Sequence, residues 1–179
     1  MMGTTHRIGG LMAGIIVLSG CPNYEIHSLA TISGALIGSL LPDIDNPHST
    51  ISKKMPLIAQ LVQMIQRMIR AVSRLLPGRI GKNIRSMFGH RGIFHSLIFP
   101  ILLCLICQSL RFKGISLGLL AGMLSHLLLD AFSGGIPLFM PISVKRFRVA
   151  KIKTGGVTEK IFGAALTCAV AISGLKMLL

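Results

Sequence analysis

The feature that most narrows the fold of this chain is a set of five long stretches without a charged residue: 8–24, 26–42, 92–110, 114–129 and 161–175. Charged residues make up 13% of the chain and apolar ones 51%, whereas soluble domains carry about 25% charged residues. A spanning helix needs roughly 20 apolar residues. Several of the stretches are shorter than that, so each is extended by polar ends at the interface. The first two are accommodated by tilt, bilayer thinning or partial burial in protein. The expectation is a single domain, 1–179, of all-α class: a polytopic membrane helical bundle of about five spans plus one interfacial amphipathic helix.

The basic residues set the orientation. With the N-terminus cytoplasmic and five spans, Arg7, nine Lys and Arg from Lys53 to Arg91, and six from Lys145 to Lys160 lie inside. Only Arg111, Lys113 and Lys176 lie outside. This is a strong positive-inside bias. It also disfavours nucleic acid as the partner of the +14 net charge, because the basic segments flank spans and the chain has one Tyr and no Trp to interleave with them. Anionic lipid headgroups are the expected partner. Within the basic region, residues 57–76 step Gln60, Gln63, Arg67, Arg70 and Arg74 along one helix face, with Ile58, Leu61, Val62, Ile65, Ile69, Val72 and Leu76 on the other. Such a helix lies in the interface plane or packs on the bundle. Residues 77–88 read as a basic link.

Two local patterns carry alternatives. Leu18-Ser19-Gly20-Cys21 resembles a bacterial lipoprotein cleavage site, and a basic start with an apolar core also fits a signal peptide. Cleavage there removes His6; without it, the first span starts at His6 with Thr4 or Thr5 as its N-cap. Cys104-x-x-Cys107 has the spacing of a redox or metal pair but falls inside an apolar span, which favours small buried thiols.

The polar residues of the spans concentrate at their ends. His126 and Asp130 are one helical turn apart on one face, the spacing of two ligands on one metal or of a core histidine bonded to a carboxylate. Asp43 and Asp45 sit in a Pro-bounded turn, which suits a hard or borderline metal or ordinary turn chemistry; His48 follows as a further ligand or a surface histidine. His90, Arg91 and His95 open the third span. The five-span topology brings His6, Asp43, Asp45, His90, His95, His126, Asp130 and Glu159 to the cytoplasmic end of the bundle. Polar groups facing lipid cost roughly 2.5–3.5 kcal/mol each at the bilayer centre, and convergence on metal removes that cost. Eight N/O ligands exceed the four of a structural zinc site and fit two ions about 3.5–4 Å apart.

The same residues carry a resemblance. His6, Leu-Pro-Asp43-Ile-Asp45-x-Pro, Gly-His90-Arg91-Gly-x-x-His95-Ser96, Ser-His126-x-x-x-Asp130 and Gly135-Ile-Pro-Leu-x-x-Pro141 resemble the YdjM-like family. The resemblance runs from His6 to Glu159. It implies a LexA-regulated protein of the bacterial inner membrane with metal-dependent hydrolase activity. The chain departs from that pattern at Phe94, where Thr is usual, and at Ser133-Gly134, where Thr-Pro is common; the loop after Asp130 is the part this affects.

The expected function is a metal-dependent hydrolase of a phosphoester, phospholipid-like substrate at the cytoplasmic membrane face. Two zinc ions are expected, with manganese or magnesium as alternatives. Asp45 or Glu159 orients the attacking water, Arg91 binds the phosphate with paired donors, and Ser96 and Ser125 support the histidines. The competing expectations are a non-catalytic metal-binding membrane protein, a metal transporter, and an interaction protein using its basic cytoplasmic segments. Transport is disfavoured because the outer halves of the spans are apolar.

Overall fold

The computed structural model describes residues 1–20, 28–89 and 91–178. Residues 21–27, with Cys21 of the lipoprotein-like sequence, and His90 lie outside the described residues. Among the described residues the fold is helical, with no strand and one isolated antiparallel bridge between Ile136 and Phe147. The helices are α1 (Gly3–Gly20), α2 (Ser28–Gly38), α3 (Thr50–Lys54), α4 (Pro56–Val72), α5 (Gly78–Met87), α6 (Ile98–Ser109), α7 (Lys113–Ser133) and α8 (Val157–Leu178). Two 3₁₀ turns, Leu41–Asp45 and Ile93–His95, interrupt the chain before α3 and α6.

The uncharged stretches do not all become helices of spanning length. Lys113–Ser133 and Val157–Lys176 are long and apolar enough to cross a membrane. The apolar helices α2 and α6 have 11 and 12 residues, which is about 16–18 Å of rise against roughly 30 Å of hydrocarbon. Pro42 and Gly92 are the local causes. Pro42 opens the first 3₁₀ turn after α2. Gly92 follows Arg91 at φ 56° and precedes the second turn, so α6 starts only at Ile98. His95, expected in the first turn of the third span, therefore sits in a 3₁₀ turn of its own.

Helix α7 is the centre of the bundle, packed against α1, α2 and α6. Its contact with α2 is a backbone-to-backbone seam. A Cβ at Gly34 would lie 2.6 Å from the Ile115 carbonyl oxygen, and one at Gly38 would overlap that of Leu119. In return, side chains at Gly118 and Gly122 would overlap the carbonyls of Thr31 and Ala35. Gly34 and Gly38, four residues apart, are a small-residue pattern, and their partner on α7 is a second one at the same spacing. Helices in lipid gain little from apolar burial against each other, so small residues that admit close backbone contact supply the packing.

The far end of α7 is closed by the chain that follows it. The amides of Gly134 and Gly135 donate to the Asp130 carbonyl at 3.0 and 3.1 Å, and those of Val149 and Ile152 to Ala131 and Phe132. These bonds satisfy carbonyls that a helix terminus leaves unpaired. Leu127, Ala131 and Ile136 form a small core with Leu97 and Leu138, and the Leu97 amide donates to the Leu138 carbonyl at 3.0 Å. The start of α6 is thereby fixed to the end of α7.

Three local expectations change. Helix α1 begins at Gly3, ahead of the proposed cap, and the Thr5 hydroxyl instead donates to Glu159. The basic segment 77–88 contains the helix α5, tied back to α4 by Arg85 Nη1 donating to the Ser73 carbonyl at 3.0 Å. One glutamine of the 57–76 stripe turns inward: Gln63 is buried, as is Gln66 beside it, while Gln60 stays exposed. Cys104 and Cys107 are free thiols, as their apolar setting implied.

The seam has a direct test. Gly122→Ala pushes a methyl group into the Ala35 carbonyl and is expected to destabilise the protein by about 1–3 kcal/mol, the usual cost of overpacking. Gly174→Ala on α8, where a Cβ meets nothing within 4 Å, is expected to be neutral or to stabilise by up to about 1 kcal/mol. Thermal unfolding in detergent measures both. Equal midpoints for the two variants would contradict the seam.

Candidate metal centre

Five of the eight residues singled out by sequence meet at one end of α7. His126 and Asp130 come from its last two turns, His6 from the first turns of α1, Asp43 from the 3₁₀ turn after α2, and His95 from the turn before α6. His6, His95 and His126 are almost wholly buried, and Asp130 is 2% exposed. Asp130 Oδ1 lies 3.3 Å from His6 Nε2 and 3.0 Å from the Met1 amine, and Oδ2 lies 3.0 Å from Arg91 Nη2 and 3.7 Å from His95 Nε2. Asp43 Oδ1 lies 3.5 Å from His95 Nε2 and 3.8 Å from His126 Nε2. The imidazoles of His6 and His126 stack at 3.9 Å, and His95 meets His126 edge-on at 5.3 Å.

The backbone of α2 orients the central ring. His126 Nδ1 is 2.7 Å from the Ser39 carbonyl. A carbonyl only accepts, so Nδ1 carries the proton and Nε2 presents its lone pair to the cluster. Metal-ligating histidines are held in the same way, by a hydrogen bond from the second ring nitrogen. His126 Nε2 and His6 Nδ1 are buried with no hydrogen-bond partner. Asp43 keeps 23% of its side chain exposed, and a polar cleft of about 180 Å³, lined by Asp43, Asn46, His48, Ser49 and Thr50, leads to it. Burial alone would raise the Asp43 carboxyl, but the hydrogen bond with His95 and the imidazoles of His126, His95 and His6 hold it at about 2. Asp43 is therefore anionic at neutral pH and lies 3.8 Å from His126 Nε2.

Two three-residue groups have ligand atoms all within 4.8 Å of one another: His6, His126 and Asp130, and Asp43, His95 and His126. The donor set, three imidazoles and two carboxylates, suits zinc or another borderline divalent ion, and the unpartnered His126 Nε2 fits that role. With Nδ1 committed to Ser39, His126 has one nitrogen to offer and serves one ion. Asp130, with one oxygen toward His6 and the other toward His95, is the group that links the two halves.

The remaining site residues fall around this cluster. Asp45 is buried on the Asp43 turn but belongs to neither group. Arg91 pairs with Asp130 at the rim, and its guanidinium packs where a Cβ on Gly134 would stand; Gly134, the departure from the Thr-Pro pattern, makes that approach possible. Glu159 stands apart from both groups. Its Oε1 accepts from the Met2 amide at 2.6 Å and the Thr5 hydroxyl at 3.1 Å, and its Oε2 accepts from the Gly155 amide at 2.7 Å. The Ser96 hydroxyl donates to the Ile93 carbonyl, and Ser125 lines an apolar groove between α1, α7 and α8. The Ser39 carbonyl was not anticipated, and a backbone acceptor leaves no signature in residue type. Gln63, which donates to the Ile44 carbonyl between the two aspartates at 3.3 Å, had one: it stands among arginines in a stripe yet carries no charge.

Taken together, these are the features of a helical membrane protein with a buried His/Asp cluster at one end of its bundle. The chain matches the family described as YdjM inner membrane protein over residues 1–178, and it belongs to that family. It is 30% identical over 171 residues to the protein YvsG of Bacillus subtilis (strain 168), a match covering 94% of this chain and 91% of that protein. No solved structure matches the chain.

The placement of Glu159 separates an anchor from a ligand. Glu159→Ala removes the acceptor of three donors and is expected to lower stability by about 1–3 kcal/mol. Metal affinity should fall about 10–100-fold through displacement of α1 and His6, while the metal content at saturation is unchanged. A saturating metal content reduced by one ion would make Glu159 a ligand instead.

Proposed function

We propose that this protein is a membrane-embedded, metal-dependent hydrolase that cleaves a phosphoester of phospholipid type at the cytoplasmic membrane face, with two divalent ions, zinc in the first instance. The observation that carries this reading is the pair of overlapping ligand groups around His126 and Asp130. Asp43, His95 and His126 would hold one ion. His6 and Asp130 begin the second set, and Asp130 Oδ2, which also pairs with Arg91, faces the first. Bound divalent ions supply the charge that lowers the pKa of a water and polarises phosphoryl oxygens.

The chain's own residues account for the rest. The Asp43 cleft is the polar approach to the cluster, and its polar lining suits a headgroup rather than an acyl chain. Arg91, part-exposed at the rim, offers two parallel N–H donors to a phosphate, a geometry in which guanidinium exceeds ammonium. Asp45, close by on the same turn, takes the role of the carboxylate that orients water. Glu159 holds the start of α1 and with it His6. The multi-pass topology with a cytoplasmic N-terminus rests on the positive-inside bias, with α7 and α8 as crossings and the shorter apolar helices packed against them. The apolar outer halves of the helices favour hydrolysis over ion passage, since a permeation path needs polar groups through the bilayer.

The test is metal analysis of the purified protein together with a phospholipid panel. Wild type is expected to retain divalent metal and release headgroup or phosphate. His126→Ala is expected to lose metal and to lower turnover by at least about 100-fold. Metal retained with no phosphoester turnover would leave a non-catalytic metal protein. No metal in either form would remove the reading altogether.

A further inference from the structure

Helix α4 is docked the wrong way round for a helix that meets water. Its inner face carries Ala59, Gln63 and Gln66, all buried, and Ser73 just past its end is also buried. The attachment is partly polar: Ala59 packs with Leu40, Ile44 and Ile51, while Gln63 Nε2 donates to the Ile44 carbonyl at 3.3 Å and Ser52 of α3 donates to the same oxygen at 3.2 Å. The outer face is a continuous apolar stripe. Leu57, Leu61, Met64, Met68 and Val72 step by four, three, four and four residues, and each is more than half exposed. Leu75 and Ile80 continue it towards α5, also exposed. An amphipathic helix on a soluble protein buries its apolar stripe; this one buries its amides and displays the stripe.

The charges beside the stripe are of one sign. Between Asp45 and Asp130 the chain contains no acidic residue, while Lys53 to Arg91 holds nine Lys and Arg. On a helical wheel, Arg67 falls on one flank of the apolar arc, next to Gln60, and both are exposed; Arg74, in the turn beyond the helix, is exposed as well. Arg79 and Lys82 of α5 are exposed as well. An apolar stripe edged by arginine is the pattern of a helix lying in a membrane interface, with side chains snorkelling to the headgroups. A second copy of the chain would bring the same cationic edge against itself, a like-charge contact.

We propose that the outer face of α4, continued by Leu75 and Ile80, is a docking surface for the anionic headgroup layer of a bilayer. It lies in the plane of the membrane, with its apolar stripe in the acyl boundary and Arg67 and Arg74 at lipid phosphates. The polar attachment to Ile44, the residue between Asp43 and Asp45, fixes the depth of the Asp43 turn relative to that plane. The inference is independent of the chemistry proposed above.

The chain has no tryptophan, so Leu61→Trp and Met68→Trp each place a single fluorophore on the exposed stripe of the full-length protein. The variants are reconstituted in vesicles of phosphatidylglycerol and phosphatidylcholine, with bromine on the acyl chains as one quencher and aqueous iodide as the other. The expected result is strong quenching by brominated lipid and protection from iodide at both positions. Adding Arg67→Gln and Arg74→Gln is expected to weaken the engagement by about fivefold per charge, read as a rise in iodide quenching. Quenching by iodide without quenching by bromine would overturn the proposal, because the stripe would then face water. Protection from both quenchers would also overturn it, because protein would then cover the face.

Discussion

The structure depends on how closely α2 and α7 approach each other. Four glycines, two on each helix at the same spacing, leave no side chain at their own positions and let each backbone meet the other's carbonyls. In lipid, where burying leucine against leucine gains little over burying it in acyl chains, contact of this kind is what distinguishes one helix pairing from another. It also decides where the chemistry sits. Because α2 lies against the backbone of α7, the Ser39 carbonyl beyond its end reaches His126 Nδ1 at 2.7 Å. The Pro42 turn that follows then delivers Asp43 to His126 Nε2. A bulkier seam would leave His126 with neither a fixed tautomer nor a carboxylate neighbour.

Asp130 is the second organising element, and its environment is electrostatic rather than steric. A carboxylate taken out of water needs compensating donors or charge, and here they come from the N-terminal segment with the Met1 amine and His6, from Arg91, and from Ser133 on α7 itself. The N-terminal segment and Arg91 are consequently tied to α7. Glu159 plays a comparable part for α8, gathering the start of α1 and the Gly155 turn around one buried carboxylate. The two acids thus fix the helix that carries His6, while Asp43, the member of the cluster that lines the polar cleft, remains accessible from outside.

Much of this was legible in the residues themselves. The absence of charge over long stretches gave the helical membrane class, and the i, i+4 spacing of His126 and Asp130 placed both in one cluster. The one-sided topology grouped His6, Asp43 and His95 with them, and the structure brings those side chains into the same cluster. Helix length was not legible, because a run without charges records hydrophobicity and not backbone geometry; Pro42, Gly92 and the left-handed Arg91 cut two of the runs short. Glu159 was grouped with the ligands because topology locates a residue at an end of the bundle without saying which donors its oxygens meet. The inward turn of Gln63 was hidden for a related reason: a polar stripe on a helix shows that two faces differ, and only the tertiary contact with Ile44 shows which face is inside.

The central claim is that His6, Asp43, His95, His126 and Asp130 form a metal centre. X-ray absorption at the metal edge of the purified protein addresses it most directly. The account predicts a first shell of nitrogen and oxygen at about 2.0–2.2 Å, with the outer-shell scattering of imidazole rings, and loss of that imidazole signal in His95→Ala and His126→Ala. A metal bound without imidazole scattering, or one whose coordination is unchanged in both variants, would contradict it.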